Sequence, residues 1–169
     1  MKRIIIIISV TTLIGCVFIW FFYTFRHFTS DALDPFPERN FPTSTKNLEI
    51  AIDKLYSLNP EFKVPEKWMA EDTSIKNSYF FLKSRTFYFK NDPEEMYYVT
   101  FKGDSAMLAD PSKTTIAIRL INRSGPKWFK YVELDTIERK RIEERFDKEI
   151  ILRLEGYPKT KSFHSKDDY

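Results

Sequence analysis

The sequence predicts an α+β fold: an N-terminal transmembrane helix, then a small domain with a four- to five-stranded antiparallel meander flanked by an N-terminal and a C-terminal helix. Three observations predict it. Residues 4–25 run for 22 positions without a charge. The middle of the chain alternates apolar and polar residues with the period of two that a half-buried strand requires. The stretches on either side of that middle repeat apolar residues at three- and four-residue spacing, the signature of one helical face.

The uncharged run, IIIIISVTTLIGCVFIWFFYTF, is bounded by Lys2 and Arg3 before it and Arg26 after it. As a helix it is about 33 Å long, against a hydrocarbon core of about 30 Å. Ser9, Thr11 and Thr12 are compatible with lipid, because a hydroxyl in a helix can donate to a carbonyl one turn back. Trp20, Tyr23, Arg26 and His27 have the composition of an interfacial belt. The positive charges ahead of the run place the N-terminus in the cytoplasm and the remainder of the chain outside it. The expected partners are therefore the membrane and another protein.

Within this run Leu13-Ile14-Gly15-Cys16 resembles the lipobox of bacterial lipoproteins, and the residues before it resemble their signal peptide. That resemblance implies cleavage ahead of Cys16 and a lipid on its sulfur as the anchor. The chain departs from the pattern after Cys16, where Val17 to Phe25 stays apolar instead of becoming a polar tether. The uncleaved spanning helix is the expectation, and lipidation of Cys16 is the alternative.

The division that follows is 1–28 as anchor, 29–45 as a spacer, 46–157 as the extracytoplasmic domain and 158–169 as a flexible tail. Pro35, Pro37 and Pro42 favour extended backbone in the spacer. Lys46 to Leu58 places Leu48, Ala51, Ile52, Leu55 and Leu58 on one helical face, with Ser44 or Thr45 as cap and Asn59-Pro60 as stop. Glu61 to Ser78 reads either as a short helix opened by Pro65 or as an irregular crossing. Tyr79 to Lys90 reads as a strand, broken by Asn91-Asp92-Pro93. A second strand carries Tyr97, Val99 and Phe101 on one face and ends at Gly103-Asp104, a two-residue hairpin turn. Ser105 to Ala109 is then a short return strand. Thr115 to Ile121 sets Ile116, Ile118 and Leu120 opposite Arg119, and Lys127 to Glu133 is the last strand. Asp135 with Glu138 has the form of a capping box. Ile142, Phe146, Ile150 and Leu154 then recur every four residues, and Gly156 and Pro158 close the helix.

Composition excludes several function classes. Of the formal net charge of +3, Lys2 and Arg3 supply two, so the body is nearly neutral and offers no field for nucleic acid. One cysteine and two histidines give no basis for a multi-cysteine zinc site, and no glycine pattern cradles a phosphate, so no cofactor is expected. Gly103-Asp104-Ser105 resembles the nucleophile block of the GDSL hydrolases. Such an enzyme also needs an Asp-x-x-His near its end, and Lys161 stands where the aspartate before His164 belongs, so Ser105 is read as a turn residue. Asn122-Arg123-Ser124 matches a glycosylation acceptor. The turn carboxylates Asp92, Glu94, Glu95, Asp104 and Asp110 are the only acid–base candidates, and an envelope hydrolase would need them to converge on one pocket.

Aromatic residues reach 17% and concentrate on the predicted strands. Alternation sends about half of them away from a helix-covered face. Tyr88, Tyr98 and Tyr131 are accordingly the candidate binding residues, on an expected exposed aromatic sheet face. The function expected is thus a single-pass, membrane-anchored, non-catalytic interaction module.

Overall fold

The computed structural model describes residues 15, 35–123 and 125–157, and the backbone of 163–164. The predicted spanning helix, Cys16 and His27 lie outside the described residues, apart from Gly15. Among the described residues no helix is long and apolar enough to cross a membrane. Contacts divide the chain into Met1–Leu33 and Asp34–Tyr169, and the second unit carries the fold described below.

That unit is α+β. Its elements in chain order are β1 (Arg39–Phe41), α1 (Thr45–Leu58), α2 (Met69–Ser78), β2 (Ser84–Phe89), β3 (Glu95–Lys102), the single turn α3 (Ser105–Leu108), β4 (Thr114–Asn122), β5 (Trp128–Lys130), α4 (Thr136–Phe146), a π-helical turn (Asp147–Ile151), α5 (Leu152–Glu155) and β6 (Phe163–His164). The sheet order is β2-β3-β4-β1-β6, with β5 also paired to β4 and every pairing antiparallel.

β4 organises the sheet. One edge carries β3 throughout; the other carries β1 at Thr114–Ile116 and β5 at Leu120–Asn122. Between those two partners the Phe36 N–H donates to the Ile118 carbonyl at 3.0 Å. The last part of the expected spacer is therefore built into the domain, with Phe36 and Phe41 buried in the core. The extended backbone that its prolines favour suits a sheet edge as well as a tether. The tail also contributes, since the backbone of Phe163–His164 pairs with Asn40 and Arg39.

One sheet face packs against α1 and the C-terminal helices. Leu48, Ile52 and Leu55 meet Phe87, Tyr97, Val99, Ile116 and Ile118, together with Ile142, Phe146, Ile150 and Leu154. The helix starts follow the sequence. Ser44 accepts from the Asn47 N–H, and Asp135 accepts from the Glu138 N–H at 2.8 Å. The Glu138 side chain, expected to complete a capping box, instead pairs with Arg123.

The opposite face is covered too, which corrects the expected open sheet. Thr86, Tyr88, Met96, Tyr98 and Thr100 are all buried there, and the segment from Trp68 to Tyr79 folds back onto Glu94, Thr86 and Tyr98. Asp72 of α2 accepts from the Thr86 hydroxyl at 2.5 Å, and Tyr79 lays its ring against Tyr98.

Two local features depart from period-two reading. Val99 pairs with Ile118 and Tyr98 with Leu120, which leaves Arg119 as the extra residue of a bulge. Beyond it every side chain changes face, so Ile121 joins the core with Ile116 and Ile118, while Leu120 does not. After β3, Gly103 at φ +126° does not turn into a return strand. Asp104 instead accepts from the Ala106 and Met107 N–H groups, so residues 105–108 coil into α3.

Candidate functional site

The strongest concentration of charge lies where α4 crosses the start of β3. Glu95 opens β3 with its side chain fully buried. Arg141 and Arg145, one turn apart on α4, both reach it. Arg141 makes two parallel bonds, Nη1 to Oε2 at 2.9 Å and Nη2 to Oε1 at 2.5 Å. Arg145 Nη1 lies 3.2 Å from Oε2, and Arg123, just past β4, brings its Nε to 3.4 Å from Oε1. Tyr97, two residues along the strand and so on the same face, donates its hydroxyl to Oε2 at 2.8 Å.

The arrangement sets its own electrostatics. Burial, then the neighbouring Glu95 charge, pushes the Tyr97 hydroxyl far above its ordinary range, so it stays a donor. The hydrogen bonds to Glu95 raise Arg141 further. Arg145 is fully directed: Nε to Glu149 at 3.0 Å, Nη1 also to the Pro93 carbonyl at 2.7 Å, and Nη2 to the Asn91 carbonyl at 3.2 Å. Its Cζ also lies 4.7 Å from the centre of the Phe89 ring.

A cleft of about 310 Å³ opens beside this cluster, lined by Arg141, Arg145 and Lys148 with Asp92, Glu144 and Glu149 among others. Three cations face three carboxylates, so the cleft presents no net charge to a ligand. The guanidinium groups that could hold an anion are already engaged with Glu95, Glu149 and backbone carbonyls. The chemistry this geometry performs is structural: a buried, multiply hydrogen-bonded carboxylate fastening the C-terminal helix to the sheet.

A second constellation surrounds Glu94. Its carboxylate accepts from Trp68 Nε1 at 3.0 Å, from the Tyr88 hydroxyl, and from Lys67 Nζ at 2.6 Å. These donors, Lys67 first, hold Glu94 down at about 2. Burial and the bond to Glu94 push Tyr88 up to about 12.

The predicted site residues do not come together. Tyr88 is 6% exposed and Tyr98 is not exposed at all. Tyr98 is wedged between Tyr79 and Trp128, with ring centres 6.2 and 6.3 Å away. Tyr131 lies half-buried in the turn after β5, edge-on to Phe36 at 4.8 Å and beneath Arg139. It packs against the opposite side of the sheet from Tyr88 and Tyr98. The exposed aromatic face expected from alternation is absent because the segment around α2, together with Trp128, covers it.

The turn carboxylates separate as well. Asp104 is the α3 cap and Asp110 accepts from the Ser112 N–H and hydroxyl at 2.7 and 2.6 Å. Both follow Lys102, at the end of β3 about 23 Å from Glu95, whereas Asp92, Glu94 and Glu95 sit at its beginning. A hydrolytic pair drawn from both groups is not assembled. Ser105 opens α3 and is exposed. Asn122 is buried and donates to the Gly125 and Lys127 carbonyls, so it is not presented as a glycan acceptor. Among the described residues no three His, Cys, Asp or Glu side chains are grouped to hold a metal.

Sequence reasoning passed over Arg141 and Arg145. Their signal was present: two arginines four residues apart, each immediately before a residue of the buried Ile142–Phe146 stripe. Their partner lies about half a domain away along the chain and carries no local mark. Compared with family models, with curated proteins and with solved structures, the chain matches none.

Proposed function

We propose that the protein is a single-pass, membrane-anchored, non-catalytic module. Residues 4–25 span the bilayer from a cytoplasmic N-terminus, and the α+β domain works on the far side as a binding module for another protein. The observation that carries this reading is the 22-residue uncharged run bounded by Lys2, Arg3 and Arg26, long enough to cross the hydrocarbon. The organisation of the domain supports binding over bond-making. Asp104 and Asp110 are occupied as cap and turn acceptor, and Glu95 is held by three arginines and a tyrosine.

The lipobox resemblance of Leu13 to Cys16 supplies one other anchor, a lipid on Cys16 holding the same domain on the same side. The intact mass of the chain from fractionated cells tests both. A full-length species that stays with membranes through an alkaline wash supports the spanning helix. Loss of the first 15 residues with an added diacylglyceryl mass replaces the helix by the lipid. A full-length chain released into the detergent-free soluble fraction overturns the proposal.

A further inference from the structure

Phe80 and Phe81 are 83% and 62% exposed, side by side, with their rings edge-on at 5.8 Å. Single exposed apolar residues are ordinary; the placement of this pair is not. The Leu82 N–H donates to the Tyr79 carbonyl at 2.9 Å, closing a four-residue turn whose two central positions are Phe80 and Phe81. Those positions normally hold Gly, Pro, Asn, Asp or Ser, each for a conformational or hydrogen-bonding reason that phenylalanine does not supply. The turn is held firmly, since the Tyr79 N–H caps α2 through the Ile75 carbonyl and the Tyr79 ring packs on buried Tyr98. The fold therefore fixes an aromatic tip: Phe81 meets the half-buried Tyr79 ring edge-on at 6.3 Å, while both phenylalanines keep most of their surface in solvent.

Cations bracket the tip. Lys76 and Lys83 each direct one donor to a carboxylate, Asp72 at 2.7 Å and Glu49 at 2.6 Å, out of the three an ammonium carries. An aromatic tip between lysines is the composition that settles at a lipid headgroup boundary. The chain supplies the proximity. Only residues 26–34 separate the uncharged run from Pro35, a reach of at most about 36 Å, whereas a body of this length has a radius of gyration of about 14 Å. A bilayer tethered that closely meets the domain at an effective concentration on the order of millimolar, so even a weak contact is populated.

From these observations we infer that the Phe80–Phe81 turn docks into the interfacial layer of the bilayer that anchors the chain, giving the domain a second membrane contact. This rests on the anchored reading above, and the occupant is lipid, not a second protein.

The test uses the full chain in phosphatidylcholine–phosphatidylglycerol vesicles. Cys16→Ser removes the native thiol, and a nitroxide is attached at Phe81→Cys or, as reference, at Lys140→Cys on the exposed side of α4. Docking predicts that the label at 81 collides with oxygen in preference to a water-soluble nickel chelate, about 5–10 Å below the headgroups, with the reverse preference at 140. Equal nickel access at both positions while the protein floats with the vesicles overturns docking and leaves anchoring intact. Spin–spin broadening at 81 that vanishes on dilution with unlabelled chain assigns the tip to a second copy and overturns it too. Failure to float removes the anchored reading and this inference with it. A nitroxide at Asn77→Cys, one helical turn before the tip, should share the oxygen preference; Phe80→Ser with Phe81→Ser, both at exposed positions, should abolish it with flotation and circular dichroism unchanged, and a preference that survives the double change overturns docking by the two rings.

Discussion

Glu95 and Arg141 face each other through two parallel hydrogen bonds, at 2.5 and 2.9 Å, with the carboxylate wholly removed from solvent. The pair joins the first residue of β3 to α4 across 46 residues of chain. It holds because Arg145, Arg123 and Tyr97 complete the carboxylate's surroundings. A buried charge is tolerated only where its desolvation is offset in this way.

Glu95→Ala leaves three guanidinium groups facing a site without its carboxylate. The expected loss is about 3–5 kcal/mol of folding stability, read as a lowered urea midpoint at unchanged slope. A loss below about 1 kcal/mol would show that the cluster is solvated and does not fasten the helix to the sheet.

Glu94 sets a pH dependence. Its folded-state value of about 2 lies below the ordinary 4.5, so the unfolded chain binds the proton more readily. Stability from this group is therefore fully present above about pH 4.5 and is lost as pH falls toward 2. Glu94→Gln should flatten the acid limb of the stability profile in that window and leave its neutral region parallel to that of the parent. An acid limb of unchanged slope would mean that Trp68, Tyr88 and Lys67 do not hold the carboxylate in solution.

Gly103 occupies φ +126°, and a Cβ there would lie 2.6 Å from Met107 Cβ. Gly103→Ala should cost about 1–3 kcal/mol, from the backbone conformation and the contact together. Adding Met107→Ala, which keeps the offending Cβ, should recover little. Thermal unfolding of the single and double variants measures this, and full recovery in the double variant would contradict the backbone argument.

Much of the architecture was legible in the chain. Ser44 and Asp135 start the helices they were expected to start, because an N-cap is a local bond between a side chain and an N–H two or three residues on. The strands around Tyr97 and Ile118 were found because alternation is also local. The strict four-residue recurrence of Ile142, Phe146, Ile150 and Leu154 carried further information. At 100° per residue such a stripe drifts by about 40° at each step. The π turn at Asp147–Ile151 takes up this drift, and all four side chains end buried.

What the chain could not show depends on distant partners. The tyrosines at 88 and 98 alternate as a solvent-facing row would, and they are buried because distant Trp68, Tyr79 and Trp128 are brought to their side of the sheet. Arg119 reads as one more outward residue until its register against Tyr98 and Val99 makes it a bulge.

By itself, then, the sequence determined the two amphipathic helices that begin near Ser44 and at Asp135, most strands, the uncharged N-terminal run and the α+β class, since caps, periodicity and hydrophobicity act over a few residues. The tertiary structure alone decided that both sheet faces are covered, that Glu95 gathers Arg123, Arg141 and Arg145, and that Phe80 and Phe81 stay outside. Each of these depends on which remote segments meet and which surfaces are left over once the local elements exist.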